Sequence, residues 1–467
     1  MIHQIREEFD MLIEFVTGAD TAKLYEVERS LFSMLLAMGA KLLGLFFALR
    51  SQALHRERVE GFHSFKSRNY LSVFGKITYR YPYYWSPEAG GVSPLDQTLD
   101  LPEHQYSDLL GQMCTALSVQ IPYAKSAAFF KRFFRLDLST RVLSERVVEQ
   151  SQDVDSFYEA KAPPEQEAEI LVVQIDGKGV PMRRNADGEL KKKEAVVTAL
   201  YSIDPRFRSA EQVVASLFGE ENTATTVRNR PQNKDLFATL DGKEAGFDWL
   251  GDQASRRALT RYHVALCDGD KALQSGIETY FSGDGISPNY TLILDLMHAM
   301  EYLWKAAAAA CDWTRQRNWV KARTLQLLQG QVHEVIALIE GTIEKTKKPE
   351  HRYELEKVAG YFRRNQDRMR YDLYLVQGWP IATGVIESAC GHLIKDRFEG
   401  AGMRWSRSGA DALLKLRAVQ VNEDWEAYHN FRRNRTFKRR FGQDRDPQKL
   451  HDLEVLKPEA KLLHQLI

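Results

Sequence analysis

Two aspartates, Asp176 and Asp268, each close a run of buried-strand character, at residues 169–175 and 263–267. A glutamate, Glu387, sits in a helical stretch among the small residues Thr383, Gly384, Ser388 and Ala389. Carboxylates at strand ends in an α/β sheet point into the crevice where ligands bind. Three that converge cannot all stay ionised without a cation, and hard oxygen ligands with open positions select magnesium or manganese. Such a set fits phosphoryl transfer, in which two ions about 3.5–4 Å apart hold the attacking and leaving oxygens of an in-line displacement. A chain with 63 acidic residues offers strand-end aspartates by chance, so spacing alone leaves capping and solvated roles open. Asp270, two residues beyond Asp268, is the rival for the second position.

The elements around these residues alternate. Strands at 169–175, 194–203, 263–267 and 290–294 interleave with helices at 247–261 and 271–281, which argues for an α/β core over 168–296. The first two strands read as a hairpin, and 204–246 reads as a loop region. Residues 297–378 are continuously helical in pattern, and the core resumes at 379–425 with the Glu387 helix and a glycine-broken loop. Ahead of the core, 1–69 reads as helical, 70–100 as a short β segment, and 101–152 as helical, with the spacing of a helix-turn-helix and Ser139 or Thr140 as a cap. A basic tail, 426–467, closes the chain. At about 150 residues per domain, 467 residues correspond to roughly three domains.

Lys plus Arg is 64 against 63 for Asp plus Glu, a net charge of +1, so the distribution of charge must identify a polyanion partner. Basic clusters occur at Arg183, Arg184, Lys191, Lys192 and Lys193, directly after Asp176, and at Arg432, Arg433, Arg435, Lys438, Arg439 and Arg440. Trp405, beside Arg404 and Arg407, is a candidate for stacking on an unpaired base, worth about 1–3 kcal/mol, or else a core residue anchoring its loop. The four cysteines are far apart without a CxxC pair, and the charged N-terminus does not read as a signal peptide, which points to the cytoplasm. Residues 31–49 are nearly long enough to span a membrane but carry Lys41, and read as a buried helix of an N-terminal bundle.

The strings LVVQIDGKGVPM (171–182), VALCDGDKAL (264–273), LDLMHAMEYLW (294–304) and TGVIESACGHLIKDRFEGAGMRWS (383–406) resemble, in order, the signature blocks of bacterial insertion-sequence transposases of the ISKra type, relatives of the Mutator-like DDE transposases. FGKITYRYPYYW and SPLDQTLDLP resemble that family's leader, so the likeness covers nearly the whole chain. It implies an α/β RNase H-like catalytic core interrupted by an all-α insertion and preceded by a mainly helical DNA-binding region with a short β segment. It implies that Asp176, Asp268 and Glu387 are the catalytic carboxylates and ligands of two Mg2+ or Mn2+ ions. It also places Asp295 and His298 in a D-x-x-H block, one helical turn apart, where Asp295 could orient a catalytic His298. Arg183, Arg184, Lys192, Arg404, Trp405, Arg432, Arg433, Lys438 and Arg439 become the DNA-binding candidates. The implied partners are double-stranded transposon-end DNA and target DNA, with the protein a homodimer or higher assembly at the bacterial nucleoid and no membrane involved. Relatives commonly carry cysteines after the N-terminal strands; this chain has none there, so no zinc is expected. Alternatives are a catalytically decayed or domesticated DNA-binding derivative, a structure-specific nuclease on the same core, and a helical metal oxidase using Asp295, His298 and Glu301, for which no second ExxH set is found.

Overall fold

The computed structural model describes residues 2–19, 22–58, 60–88, 90–184, 192–220, 229–283, 288–400 and 402–445; Lys191 and the chain beyond residue 445 lie outside the described residues. Two compact units result: residues 1–113, 130–136 and 426–467 form one, and 114–129 with 137–425 form the other. The segment 101–152 is therefore shared between them.

In the first unit a 34-residue helix, Leu24–Glu57, lies against an antiparallel sheet of β1 (Phe62–Ser72), β2 (Gly75–Ser86) and β3 (Gly90–Val92). Ser72 pairs with Gly75 across a two-residue turn, and Gly75 takes φ 127°, which a side chain rarely tolerates. Phe47, Tyr70, Ile77, Tyr79, Leu95 and Leu101 form the core, with Phe47 stacked on Tyr79 at 4.2 Å. The expectation of a buried bundle helix is corrected: only Phe47 and Ser51 of Leu24–Glu57 are buried, and Leu35, Leu42 and Leu49 are exposed. By length and composition this helix is apolar enough to cross a membrane. The basic run 431–440 is not a tail but part of a helix, Trp425–Phe441. Arg440 reaches the Leu101 carbonyl, and Arg445 lies 2.7 Å from Asp100.

The second unit is a mixed α/β structure around a five-stranded sheet: β4 (Ile170–Pro181), β5 (Lys192–Ile203), β6 (Gln232–Thr239), β7 (Tyr262–Cys267) and β8 (Thr291–Leu294), in the order β6-β5-β4-β7-β8. β4, β5 and β6 pair antiparallel, and β7 and β8 are parallel to β4. β6 corrects the loop read at 204–246. Asp235 precedes its short apolar run and stays buried because Arg257, at 2.5 Å, and Lys161, at 2.9 Å, neutralise it.

The two faces of this sheet differ. Leu171, Val173 and Ile175 of β4 and Ala265 and Cys267 of β7 pack against Phe247 and Leu250 of helix Lys243–Ser255 and Leu273 and Ile277 of helix Lys271–Tyr280. Each buried Val, Leu, Ile or Phe among them contributes about 1.5–3 kcal/mol. Side chains alternate along a strand, so Gln174 and Asp176 of β4, and Asp268 just past β7, face the other way. That face carries helices Gly384–Cys390 and Arg407–Val421. Between β8 and Gly384 the regular elements are all helical, Leu296–Ala310, Trp313–Leu328, Val332–Lys345, Pro349–Asn365, a 3-10 turn and Tyr371–Val376, followed by a loop at 377–383. Ser139 caps Thr140–Gln150 by accepting from the Val142 N–H at 3.2 Å, and that helix buries Leu143 and Val147.

A candidate acidic metal centre

β4 and β7 are paired with a constant offset of 92 residues, from Ile170 with Tyr262 to Gln174 with Leu266. β7 and β8 are paired with an offset of 27, from Val264 with Thr291 to Cys267 with Leu294. The same intervals separate Asp176 from Asp268 and Asp268 from Asp295. The three aspartates therefore stand level at the carboxyl side of three neighbouring parallel strands, on the face opposite the Phe247 core. In β4 the strand runs on past this level to Pro181, whereas β7 and β8 end there.

Their surroundings separate them. Asp295 has no exposed surface, and both its oxygens are occupied. Oδ1 accepts the N–H groups of Met297 and Thr383, each at 3.1 Å, and Oδ2 accepts the Thr383 hydroxyl at 2.8 Å, His298 Nδ1 at 2.7 Å and, at 3.3 Å, the His298 N–H. It caps the helix Leu296–Ala310 and ties that helix to the one carrying Glu387. Asp268 accepts one backbone N–H, from Asp270 at 2.9 Å. Burial raises its pKa above the usual carboxylate range and the Asp176 charge adds to this, opposed by the Asp270 N–H and by His298. Asp176 accepts the Gly177 N–H at 2.7 Å and the Cys390 thiol at 3.5 Å. Asp270 is committed elsewhere: it caps Lys271–Tyr280 through the Ala272 and Leu273 N–H groups and pairs with Lys243 at 2.9 Å.

Glu387 is exposed near the start of its helix, with Oε1 3.4 Å from the Thr383 hydroxyl. Two buried polar groups fix this helix on the sheet. Gln174 Oε1 accepts the Ile386 N–H at 3.0 Å, while its Nε2 bonds the Tyr201 hydroxyl at 3.1 Å; Asp295 holds Thr383. The helix continues as a π-helical turn, Gly391–Lys395, and Arg417 donates to the His392 and Leu393 carbonyls there. Such turns occur often at functional sites. The ligand atoms of Asp295, His298 and Glu387 all lie within 4.8 Å of one another, a group that could hold a metal ion.

The Asp295 hydrogen bond, against the opposing effect of burial and with help from the Asp295, Asp268 and Glu301 charges, raises the His298 pKa to about 9. His298 is thus an imidazolium at neutral pH in the metal-free protein, with Nδ1 tied to Asp295. The carboxylates suit a divalent cation: Asp295 and Glu387 approach each other beside His298, Asp268 is disfavoured as an isolated charge, and Asp176, Asp268 and Glu387 keep oxygens not consumed by strong hydrogen bonds. Asp295, whose oxygens accept from five donors, orients His298 and Thr383 within this cluster.

The structure thus sets His298 and Glu387 beside Asp295, with Asp268 in electrostatic reach of His298 and Asp176. Of the DNA-binding candidates, Arg183, Arg184, Lys192 and Arg404 are exposed in the sheet unit. Trp405 is a correction: it is 8% exposed, its Nε1 donates to the Phe398 carbonyl at 3.2 Å, and it anchors its loop. Arg432, Arg433, Lys438 and Arg439 belong to the other unit. Arg432 is buried and corrects the expectation of an exposed basic stripe, Lys438 pairs with Asp444 at 2.9 Å, and Arg439 is exposed. Sequence reasoning misses Gln174, whose signal is a polar residue inside an otherwise apolar strand, and the tethering role of Thr383.

No family model matches the chain, and no curated protein matches it, so the ISKra resemblance rests on its sequence blocks alone. Among solved structures, a Drosophila P element transposase strand transfer complex is similar with TM-score 0.33 and 8% identity, over 69% of this chain and 94% of that one.

Proposed function

We propose that the chain is a DDE transposase of the ISKra type with an RNase H-like core. The observation that carries this reading is the level row of Asp176, Asp268 and Asp295 on one sheet face, with Glu387 held over it by Gln174 and Thr383. The all-helical stretch between β8 and the glutamate helix supports it as the expected insertion.

Asp176, Asp268 and Glu387 would hold two Mg2+ or Mn2+ ions, which supply an activated oxygen nucleophile and stabilise charge on the leaving oxygen. Asp176, in the central strand β4, would share in holding both ions. His298, kept protonated by Asp295, donates from Nε2 to a phosphate oxygen beside Asp268. Hydrolysis at the element end breaks a P–O bond and frees a 3′ hydroxyl. That hydroxyl then displaces a 3′ oxygen from a target phosphodiester, its proton passing to solvent, so no covalent protein intermediate forms. Terminal inverted repeats and target DNA are the substrates, and the protein acts at the nucleoid as a dimer or higher assembly.

The test is cleavage and strand transfer, with magnesium or manganese, on DNA bearing the element's own termini, with Asp176→Asn as control. Joined products that vanish in the variant are expected. Binding without cutting in the wild type points to a decayed derivative, and cutting of branched DNA without joining points to a structure-specific nuclease.

A further inference from the structure

A cavity of about 610 Å3 in the sheet unit is lined by Tyr123, Ser144, Arg183, Arg397, Arg404 and Trp405. Arg397 is its deepest charge, 1% exposed. Its Nε donates to the Ser118 carbonyl at 3.0 Å, and Nη1 lies 3.7 Å from the Met403 sulfur. Nη2 is buried without a hydrogen-bond partner. The guanidinium stands 4.8 Å from the Trp405 ring centre and 5.2 Å from that of Tyr123. These rings accommodate the charge but accept none of its in-plane donors. No carboxylate among the described residues pairs with it, and a buried cation with unmade donors is unfavourable.

The rim adds charge of the same sign. The Trp405 backbone N–H donates to the Pro181 carbonyl at 3.1 Å and the Arg183 backbone N–H to the Trp405 carbonyl at 2.9 Å, and both Arg183 and Arg404, exposed, line the cavity. Arg141 also lines the cavity, but Glu145 offsets it at 2.8 Å. Three uncompensated guanidiniums, one at the bottom and two at the mouth, suit a tetrahedral anion that accepts from several planar donors at once.

We infer that this cavity binds a backbone phosphate of a DNA strand, with Arg397 as its buried anchor. Arg397 lies ten residues beyond Glu387 on the same helical segment, about 15 Å along its axis, so a strand lying on the acidic centre can also reach the cavity. The phosphate assignment stands on the cavity; DNA as its carrier rests on the proposed function.

The experiment measures binding of a labelled single-stranded oligonucleotide to the full chain in EDTA, across a salt series, with thermal melts in inorganic phosphate. Arg183→Ala/Arg404→Ala, altered only at exposed positions, is expected to weaken binding at least tenfold and to lower the slope of log K against log salt by about one to two. Phosphate is expected to raise the melting temperature of the wild type and not that of Arg397→Met; should that variant fail to fold, the rim variant carries the test. Unchanged affinity and slope in the rim variant overturn the site. Stabilisation by phosphate without oligonucleotide binding overturns DNA as the carrier. A wild type that binds through the rim but never cuts refutes the transposase reading alone.

Discussion

The carboxyl ends of β7 and β8 present the same side chain at the same height on the same face, and the two aspartates have opposite fates. Asp295 is wholly buried and spends its oxygens on five donors, whereas Asp268 accepts a single N–H and carries a charge that its burial disfavours. Burial alone does not distinguish a ligand from a scaffold carboxylate; the count of committed donors does. A buried acid with satisfied oxygens stabilises the fold, and one with free oxygens waits for a cation.

That contrast can be broken most severely at Asp268. Asp268→Asn is expected to reduce metal-dependent DNA cleavage a thousandfold or more, about 4 kcal/mol, with the melting temperature of the metal-free protein unchanged or higher because a repelled charge is gone. A melting temperature several degrees lower would mean that Asp268 is also scaffold. Asp295→Asn, which sets an amide NH2 against donors, is expected to cost about 3–5 kcal/mol of stability by denaturant unfolding. Thr383→Val sharpens the comparison by removing one donor to Asp295 and the neighbour of Glu387, at about 1–2 kcal/mol, with cleavage falling further than stability accounts for.

The smallest effect is that of pH. His298 binds its proton more tightly when folded, at about 9, than when unfolded, at about 6.5, so its contribution is complete below about 6.5 and is lost as pH rises through about 9. With its side chain 31% exposed, screening leaves on the order of 1 kcal/mol. Metal-free wild type should lose that stability across this window, and His298→Gln should not.

What was legible in the sequence follows from periodicity. Strand runs such as 169–175 and 263–267 declare themselves because both faces are buried; Asp268 follows the end of β7 as read, but Asp176 does not close its strand, which continues to Pro181. β6 is hidden because its first half, Gln232 to Asp235, is polar, and Arg257, which neutralises the buried Asp235, is not adjacent in sequence. The helix Ala210–Leu217 carries a capping box, Ser209 with Gln212, a local signal inside a segment read as loop. Arg432 looks like a surface ligand because a run of basic residues does not reveal which members turn inward, and for Trp405 the sequence leaves stacking and loop-anchoring roles both open. The division of labour between Asp268 and Asp295 is invisible in sequence, since Thr383, which distinguishes them, lies 88 residues away from Asp295.

The pairing offsets that bring the three aspartates level also set what lineages of this chain can tolerate in length. Residues can be gained or lost in the connections that precede β7 and β8 without moving the row, because each strand is aligned by its ladder and not by the length of the loop before it. One residue inserted inside β7, between Tyr262 and Cys267, either turns Asp268 to the opposite face or lifts it out of line with its neighbours. Length variation should therefore accumulate in the connections and the helical stretch, while the strands keep their lengths.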